Sequence, residues 1–326
     1  MSEAPARQPI KLIIQIPCFN EEETLPATVA DLPRQVPGVD IVEWLVIDDG
    51  SSDRTAEVAR ELGVDHVVQH RRNRGLAAAF MTGLDAALRA GADIVVNTDA
   101  DNQYDASYIP AIVAPVAAGT ADMVVGERPI ESIAEFSGLK KRLQRLGSYV
   151  VRKFSRTAVA DAASGFRAFS RDTAMRLQVF GRYTYTMETL VQAGQEGLAV
   201  LSVPIGVNPQ TRESRLVKST RQYVMSSAQT STRTLALYRP FKFFATIGTI
   251  PFLLGLALFV RWLLLWAFAD EYSSHVPSLV VAAVLTIIAV QIWVVAFLAD
   301  LQAASRRLQS EARLRSRRAE LDGPQA

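Results

Sequence analysis

The chain has one cysteine, three histidines and almost no surplus of either charge. Cys18 alone excludes an internal disulfide, and with no histidine near it in sequence it reads as a small core residue rather than a nucleophile. A formal net charge of +2, from 35 Lys and Arg against 33 Asp and Glu, is too small to suggest a nucleic-acid partner. No basic stripe with interleaved aromatics of the kind that grips single strands is present either. The first apolar run is followed by PCFNEE and not by a Gly-rich phosphate loop, which argues against a nucleotidyltransferase. The opening MSEAPARQPIKL lacks an apolar h-region, so export of the first domain by a signal peptide is not expected.

What is present is ordinary soluble composition up to about Tyr238 and strongly apolar sequence from Phe243 onward. Across the first part, short apolar runs alternate with helical patterns. Leu12 to Ile16, Trp44 to Ile47, His66 to Val68, Ile94 to Val96, Met123 to Val125 and Leu198 to Val207 read as strands. Helices are expected from Asn20 or Thr24, after the DDGSSD turn through Leu62, and from Gly75 into a run of small residues suited to close packing on a sheet. Gly50 permits the tight turn after the second strand, and Ser52 or Asp53 is placed to cap the helix beyond it. This alternation predicts an α/β fold with a mostly parallel, doubly wound sheet. Such sheets bind ligands beyond the carboxyl ends of their strands. Two acidic pairs fall there, Asp48 with Asp49 and Asp99 with Asp101. In NTDADNQYD, adjacent carboxylates and the Gln103 amide offer the hard oxygens that Mg²⁺ or Mn²⁺ prefers, and a cation held so can hold a diphosphate.

The ordered set IPCFNEE, DDGSSDRT, RGLAAAFMTG, DADNQ, GER and SGFRAFSR, between Ile16 and Arg171, resembles the family 2 glycosyltransferases. Among them it is similar to the polyprenyl-phosphate and dolichyl-phosphate sugar synthases. The resemblance covers about the first two thirds of the chain and implies an A-type glycosyltransferase fold, Rossmann-like, with a nucleotide-sugar donor, a divalent metal and inversion at the sugar carbon. Carried over by position, Pro17, Asn20, Glu21, Asp49 and Gly75 would line the nucleotide pocket. Asp101 and Gln103 would hold the metal, and Asp99 would support the donor. Arg128 would meet a phosphate, and Arg215 in RESRL resembles a late basic residue that contacts the diphosphate. Where the family carries Tyr in its first motif, this chain has Phe19.

These residue types suit the chemistry on their own terms. Breaking a sugar–diphosphate bond builds negative charge on the leaving group, which a metal and arginines stabilise without moving a proton. A lipid phosphate acceptor, with a second pKa of about 6, is already a nucleophile at neutral pH and needs no strong base. A hydroxyl acceptor, as in polysaccharide or glycolipid synthesis, would want a carboxylate base such as Glu188, which reads equally well as the N-terminal acid of a helix. A processive synthase would also carry Q-x-x-R-W, whereas Arg261-Trp262 here has Leu258 in the Gln position.

Leu139 to Phe154 is expected to form a basic amphipathic helix in which Lys140, Arg142 and Arg145, among others, meet an anionic membrane and the lipid phosphate. Phe243 to Val260 and Ser278 to Leu298, each roughly 20 residues, are long enough to span a bilayer. Arg261 would stand near the far interface, unless Leu263 to Phe268 extend the first helix around it. Arg233, Arg239 and Lys242 precede the spans, and Arg306, Arg307, Arg313, Arg315, Arg317 and Arg318 follow them, so both ends are expected to be cytoplasmic. The expected organisation is a glycosyltransferase domain (1–218), a juxtamembrane helix (219–240), a two-helix anchor (241–300) that offers a surface for homo-oligomer packing, and a basic tail (301–326) forming a frayed helix.

Overall fold

The computed structural model describes residues 8–129, 157, 159–179, 185–209, 232, 236, 240–268 and 276–322. The chain divides into two compact units, residues 1–231 with 314–326, and residues 232–313. In the first unit, strands β1 (Lys11–Cys18), β2 (Ile41–Asp48), β3 (His66–Gln69), β4 (Ile94–Asn97), β5 (Met123–Glu127), β6 (Arg167–Ser170) and β7 (Val200–Pro204) form one sheet in the order β3-β2-β1-β4-β6-β5-β7. The intervening helices are α1 (Leu25–Asp31), α2 (Thr55–Glu61), α3 (Leu76–Arg89), α4 (Ile109–Ala117), α5 (Arg171–Arg176) and α6 (Thr186–Gln195).

Each of the six expected strands is present, and the sheet is mostly parallel as predicted. The β1 strand is buried along almost its whole length, as a central strand covered on both faces must be. Leu12, Ile14 and Ile16 join Val46, Val96 and Val124 beneath Leu25 and Val29 of α1 and Ile109, Ile112 and Val113 of α4. Each such side chain contributes about 1.5–3 kcal/mol by leaving water. The opposite face takes α3, whose small residues permit a close approach. A Cβ on Gly83 would collide with Gln15 and Ile47.

One strand was not expected. The β6 strand lies between β4 and β5 and runs antiparallel to both. With only four residues, RAFS, it is too short for a periodic signal. Its direction matters for the site: β6 begins where β4 and β5 end, since Arg167 pairs with Asn97 on one side and Val125 on the other. The loop that leads into β6 therefore meets the carboxyl ends of its neighbours.

In the second unit, α7 (Pro240–Phe268) and α8 (Val276–Asp322) are long and apolar enough to cross a membrane. Helix α7 does run on to Phe268, so Arg261 lies within it, about 32 Å from its start at 1.5 Å per residue. The two helices meet along small residues at heptad spacing: Gly248 and Gly255 on α7 are buried, as are Ala282, Ala289 and Ala296 on α8. Trp293 packs across Gly248, stacks at a tilt on Phe252 and donates its indole N–H to the Ala245 carbonyl at 3.2 Å. Thr246, Thr249 and Thr286 return their hydroxyls to carbonyls one turn back, which satisfies them in apolar surroundings. The tail is helical as expected, a continuation of α8 to Asp322. Its last turns, part of the first unit, pair Arg317 with Asp85, Arg318 with Asp172, and Glu320 with Arg89.

Candidate functional site

The carboxyl ends of β1, β2, β4 and β5 lie on one edge of the sheet, and the chain leaves each in a loop fastened to its neighbour. After β1, Asn20 adopts a left-handed backbone (φ 56°), and its side-chain oxygen accepts from the Ser52 amide at 2.8 Å. Its own amide donates to the Ser51 hydroxyl. The Glu21 and Glu22 amides donate to Thr55 and Asp53 of the β2 loop, and the Arg54 amide donates back to Glu22. These are the loops that carry IPCFNEE and DDGSSD, and together they form one wall.

The acids at the end of β2 are structural organisers of that wall. Asp48 accepts from the Ser51 amide and the Gln69 side chain. Asp49 is buried and accepts from the backbone amides of Arg74 and Gly75, at 2.9 and 2.7 Å, while its Oδ1 pairs with His70 Nδ1 at 2.6 Å. His70 Nε2 in turn meets the Thr82 hydroxyl. Asp49 thus fixes the start of α3, where Gly75 (φ 93°) takes a conformation that favours glycine. Gly50 permits the tight turn as expected and also a close approach: a Cβ there would lie 2.5 Å from the Arg72 backbone. Asp53 accepts from the Thr55 amide at the start of α2, but the N-cap position expected of Ser52 or Asp53 is taken by Arg54, which makes no side-chain cap.

The β4 loop carries the D-x-D pair. Asn97, fully buried, donates to the Tyr185 hydroxyl at 2.7 Å and the Gly165 carbonyl at 3.0 Å, and accepts from Gln15. Tyr185 stacks on Phe80 with centroids 3.9 Å apart. Above this buried platform stand Asp99 and Asp101. Asp101 accepts from the Gln103 amide. Asn208 pins the loop, donating its side-chain amide to the Asn102 carbonyl and its backbone amide to the Gln103 carbonyl. Burial, then the Asp101 charge and Glu21, push the Asp99 carboxyl up to about 7, with Arg128 pulling the other way.

Arg128 follows β5 by one residue, on this same edge as its position predicts. Its Nε and Nη2 donate to the two oxygens of Asp161, at 2.6 and 3.1 Å, and its guanidinium lies 6.0 Å over the Tyr104 ring. Burial disfavours its charge, but Tyr104, Asp161 and Asp99 outweigh that and hold its pKa above the ordinary value. The Tyr104 hydroxyl receives the Gly165 amide at 2.8 Å and is pushed up to about 12, chiefly by burial. Arg167 is fully buried and donates to the carbonyls of Ala162, Ser164 and Thr186, and burial lowers its pKa to about 10.

The structure therefore brings Pro17, Asn20, Glu21, Asp49, Gly75, Asp99, Asp101, Gln103 and Arg128 to one edge of one sheet. Glu188 is buried in the first turn of α6, the position of a helix N-terminal acid. Arg215, Lys140, Arg142 and Arg145, with the basic helix expected at Leu139 to Phe154, lie outside the described residues. Sequence reasoning missed Asp161, Tyr104, Tyr185 and the clamp function of Arg167. For Asp161 the available signal was a carboxylate three residues before SGFR, a motif already singled out.

Among the described residues no three His, Cys, Asp or Glu side chains form a closed metal cage. The donor set still suits a hard cation: two neighbouring carboxylates, one raised by burial and then by the charge of the other, leave coordination positions for phosphate and water.

The family model of glycosyl transferase family 2 matches residues 13–177. The chain is 29% identical over 213 residues to the polyprenol monophosphomannose synthase of Mycolicibacterium smegmatis, covering 62% of this chain and 79% of that protein. It is 31% identical over 212 residues to a UDP-N-acetylglucosamine–dolichyl-phosphate N-acetylglucosaminyltransferase of Methanococcus voltae, covering 58% and 82%. Among solved structures, glucosyl-3-phosphoglycerate synthase from Mycobacterium tuberculosis, in complex with Mn²⁺, uridine diphosphate and glucosyl-3-phosphoglycerate, superposes with a TM-score of 0.56 at 21% identity. That likeness covers 70% of this chain and 79% of that one, and it establishes the fold.

Proposed function

The chain belongs to glycosyl transferase family 2, and from that premise we propose that it is a membrane-anchored enzyme that moves a sugar, with inversion, from a nucleotide donor to polyprenyl phosphate. The observation that carries the reading is the pairing on one sheet edge of the D-x-D acids with a guanidinium, Arg128, in a chain with two membrane-length apolar helices. Names of relatives support it: one relative above is named for a polyprenol monophosphomannose product and the other for a dolichyl-phosphate substrate.

In this reading Pro17, Asn20, Glu21, Asp49 and Gly75 shape the nucleotide pocket, and Arg215, outside the described residues, is assigned to the diphosphate. Asp101 and Gln103 hold Mg²⁺ or Mn²⁺, as the metal in the Mn²⁺ and uridine diphosphate complex of the structural neighbour suggests. A cation held by those residues would supply charge neutralisation for the departing diphosphate. Asp99 orients the donor. Arg128 binds the acceptor phosphate, one of whose oxygens forms the new bond to the anomeric carbon as the bond from that carbon to the diphosphate breaks. Since the phosphate is ionised at neutral pH, no side chain has to take a proton. Helices α7 and α8 span the membrane with both chain ends cytoplasmic, where Lys140, Arg142 and Arg145 guide the lipid headgroup to the site.

Two of the five guanidinium donors of Arg128 are spent on Asp161, leaving its Nη end for phosphate, and one ammonium cannot serve both partners in that fork. Arg128→Lys in lipid nanodiscs is therefore expected to cut transfer at least tenfold while calorimetric binding of the nucleotide with Mn²⁺ stays within about threefold of wild type. Loss of nucleotide binding with the lipid Michaelis constant unchanged would move Arg128 to the donor side and refute the acceptor assignment.

A further inference from the structure

We propose that Asp161 is a positioning residue for the transfer reaction: it clamps the Nε and Nη2 edge of Arg128 so that the Nη end faces the acceptor phosphate. The inference rests on the acceptor reading of Arg128.

The geometry separates this pair from an ordinary ion pair. The side chain of Asp161 is 0% exposed and that of Arg128 only 16%, and both carboxylate oxygens are used in a side-on, two-point contact. Such a contact fixes the plane of the guanidinium as well as its place. The loop bearing Asp161 is anchored on both sides of Arg128. On one side the Gly126 amide donates to the Phe166 carbonyl at 2.8 Å, which ties the loop to β5 just before Arg128. On the other, the Gly165 amide donates to Tyr104, whose ring lies under the same guanidinium. Beneath it, Arg167 takes the carbonyls of Ala162 and Ser164 and links them to Thr186 at the start of α6. A buried arginine spent wholly on backbone carbonyls and one hydroxyl, that of Thr189, is a device for holding a loop. What the loop presents is the Asp161 carboxylate.

The arrangement also explains the orientation. Arg128 lies in the field of Asp99 as well as Asp161. The two-point contact fixes which edge of the guanidinium Asp161 takes, and in this proposal the remaining Nη donors are assigned to a phosphate in the neighbourhood of Asp99.

The test is a double-mutant cycle on the full chain in nanodiscs, read as Michaelis constants for polyprenyl phosphate and for the nucleotide sugar. Asp161→Asn is expected to raise the lipid constant at least tenfold and leave calorimetric nucleotide binding in place. In an Arg128→Lys background the same change is expected to have less than a twofold effect on the lipid constant, because in this proposal that effect of Asp161 runs through Arg128. Asp161→Glu keeps the charge in the buried site but displaces the guanidinium, so it is expected to fold with a melting temperature lowered by the extra methylene and still raise the lipid constant; it decides the matter should Asp161→Asn not fold. Equal effects of Asp161→Asn in both backgrounds, or wild-type kinetics for Asp161→Glu and Asp161→Asn, would overturn the proposal. If both single variants raise the nucleotide-sugar constant instead, and remain non-additive, the positioning role stands and the acceptor reading of Arg128 fails.

Discussion

The Asp99 carboxyl gives the site a pH dependence whose sign is opposite in the empty and the loaded protein. Its pKa is pushed up to about 7 by burial, by the Asp101 charge and by Glu21. A carboxyl with a pKa near 3.9 in the unfolded chain and about 7 in the fold makes a contribution to stability that is fully present below the lower value. That contribution is lost as pH rises through about 7, because the fold must then carry an unfavourable charge beside Asp101. The empty protein should accordingly melt at lower temperature at pH 8 than at pH 6. A divalent cation reverses the balance, since it favours the ionised carboxylate. With a pKa of about 7, the ionised fraction rises from about a tenth at pH 6 to about nine tenths at pH 8, so apparent affinity for Mn²⁺ with an intact nucleotide sugar should rise about tenfold. A nucleotide sugar serves better than a free diphosphate because it has no phosphate group titrating in this range. Calorimetry at pH 6, 7 and 8, and thermal melting in chelator over the same range, read the two trends. Asp99→Asn should flatten both. A wild-type affinity that does not change between pH 6 and pH 8, or an equal slope in Asp99→Asn, would refute the reasoning.

Asp101→Asn should abolish transfer and shift the melting temperature by no more than about 2 °C, since a loop carboxylate at a sheet edge adds little to the core; activity that survives this change and excess chelator would remove Asp101 from the metal site. Gly50→Ala places a Cβ 2.5 Å from the Arg72 backbone at a φ of +73°, and should destabilise by about 2–4 kcal/mol in denaturant melts while raising the nucleotide-sugar Michaelis constant; wild-type stability would contradict the close approach. Gly248→Leu would drive a side chain into the Trp293 ring, which lies 2.8 Å from where a Cβ would stand, and should separate α7 from α8, read as loss of a cysteine cross-link between them in detergent.

The fold was legible in the sequence where burial is one-dimensional. Runs such as LIIQI and WLVI can only be central strands, and turn chemistry at Gly50 and Gly75 marks where they end. The β6 strand was hidden because its pairing is decided by strands distant in sequence, not by its own four residues. The heptad seam of Gly248, Gly255, Ala282, Ala289 and Ala296 was present in the letters, but an apolar helix looks alike all round until its partner is known. The site was legible at the level of which loops converge, because acids at strand ends stand out. It was not legible in what each side chain does. Asp49 and Asn20 look like ligand contacts in sequence, while in the fold their polar atoms tie loops together, which is how the pocket wall keeps its shape. Asp161 had no periodicity or pair to mark it, since its significance arises from an arginine 33 positions earlier that only β6 brings beside it.

The central claim is transfer of a sugar to a lipid phosphate. Purified full-length protein in nanodiscs, given Mn²⁺ and a panel of UDP- and GDP-sugars, is incubated with polyprenyl phosphate in one reaction and with the matching polyprenol in another, and the lipids are read by mass spectrometry. The expected result is a polyprenyl phosphate heavier by one sugar residue with at least one donor, and no product from the polyprenol. Glycosylated polyprenol, or glycan product with the lipid phosphate unchanged, would contradict it.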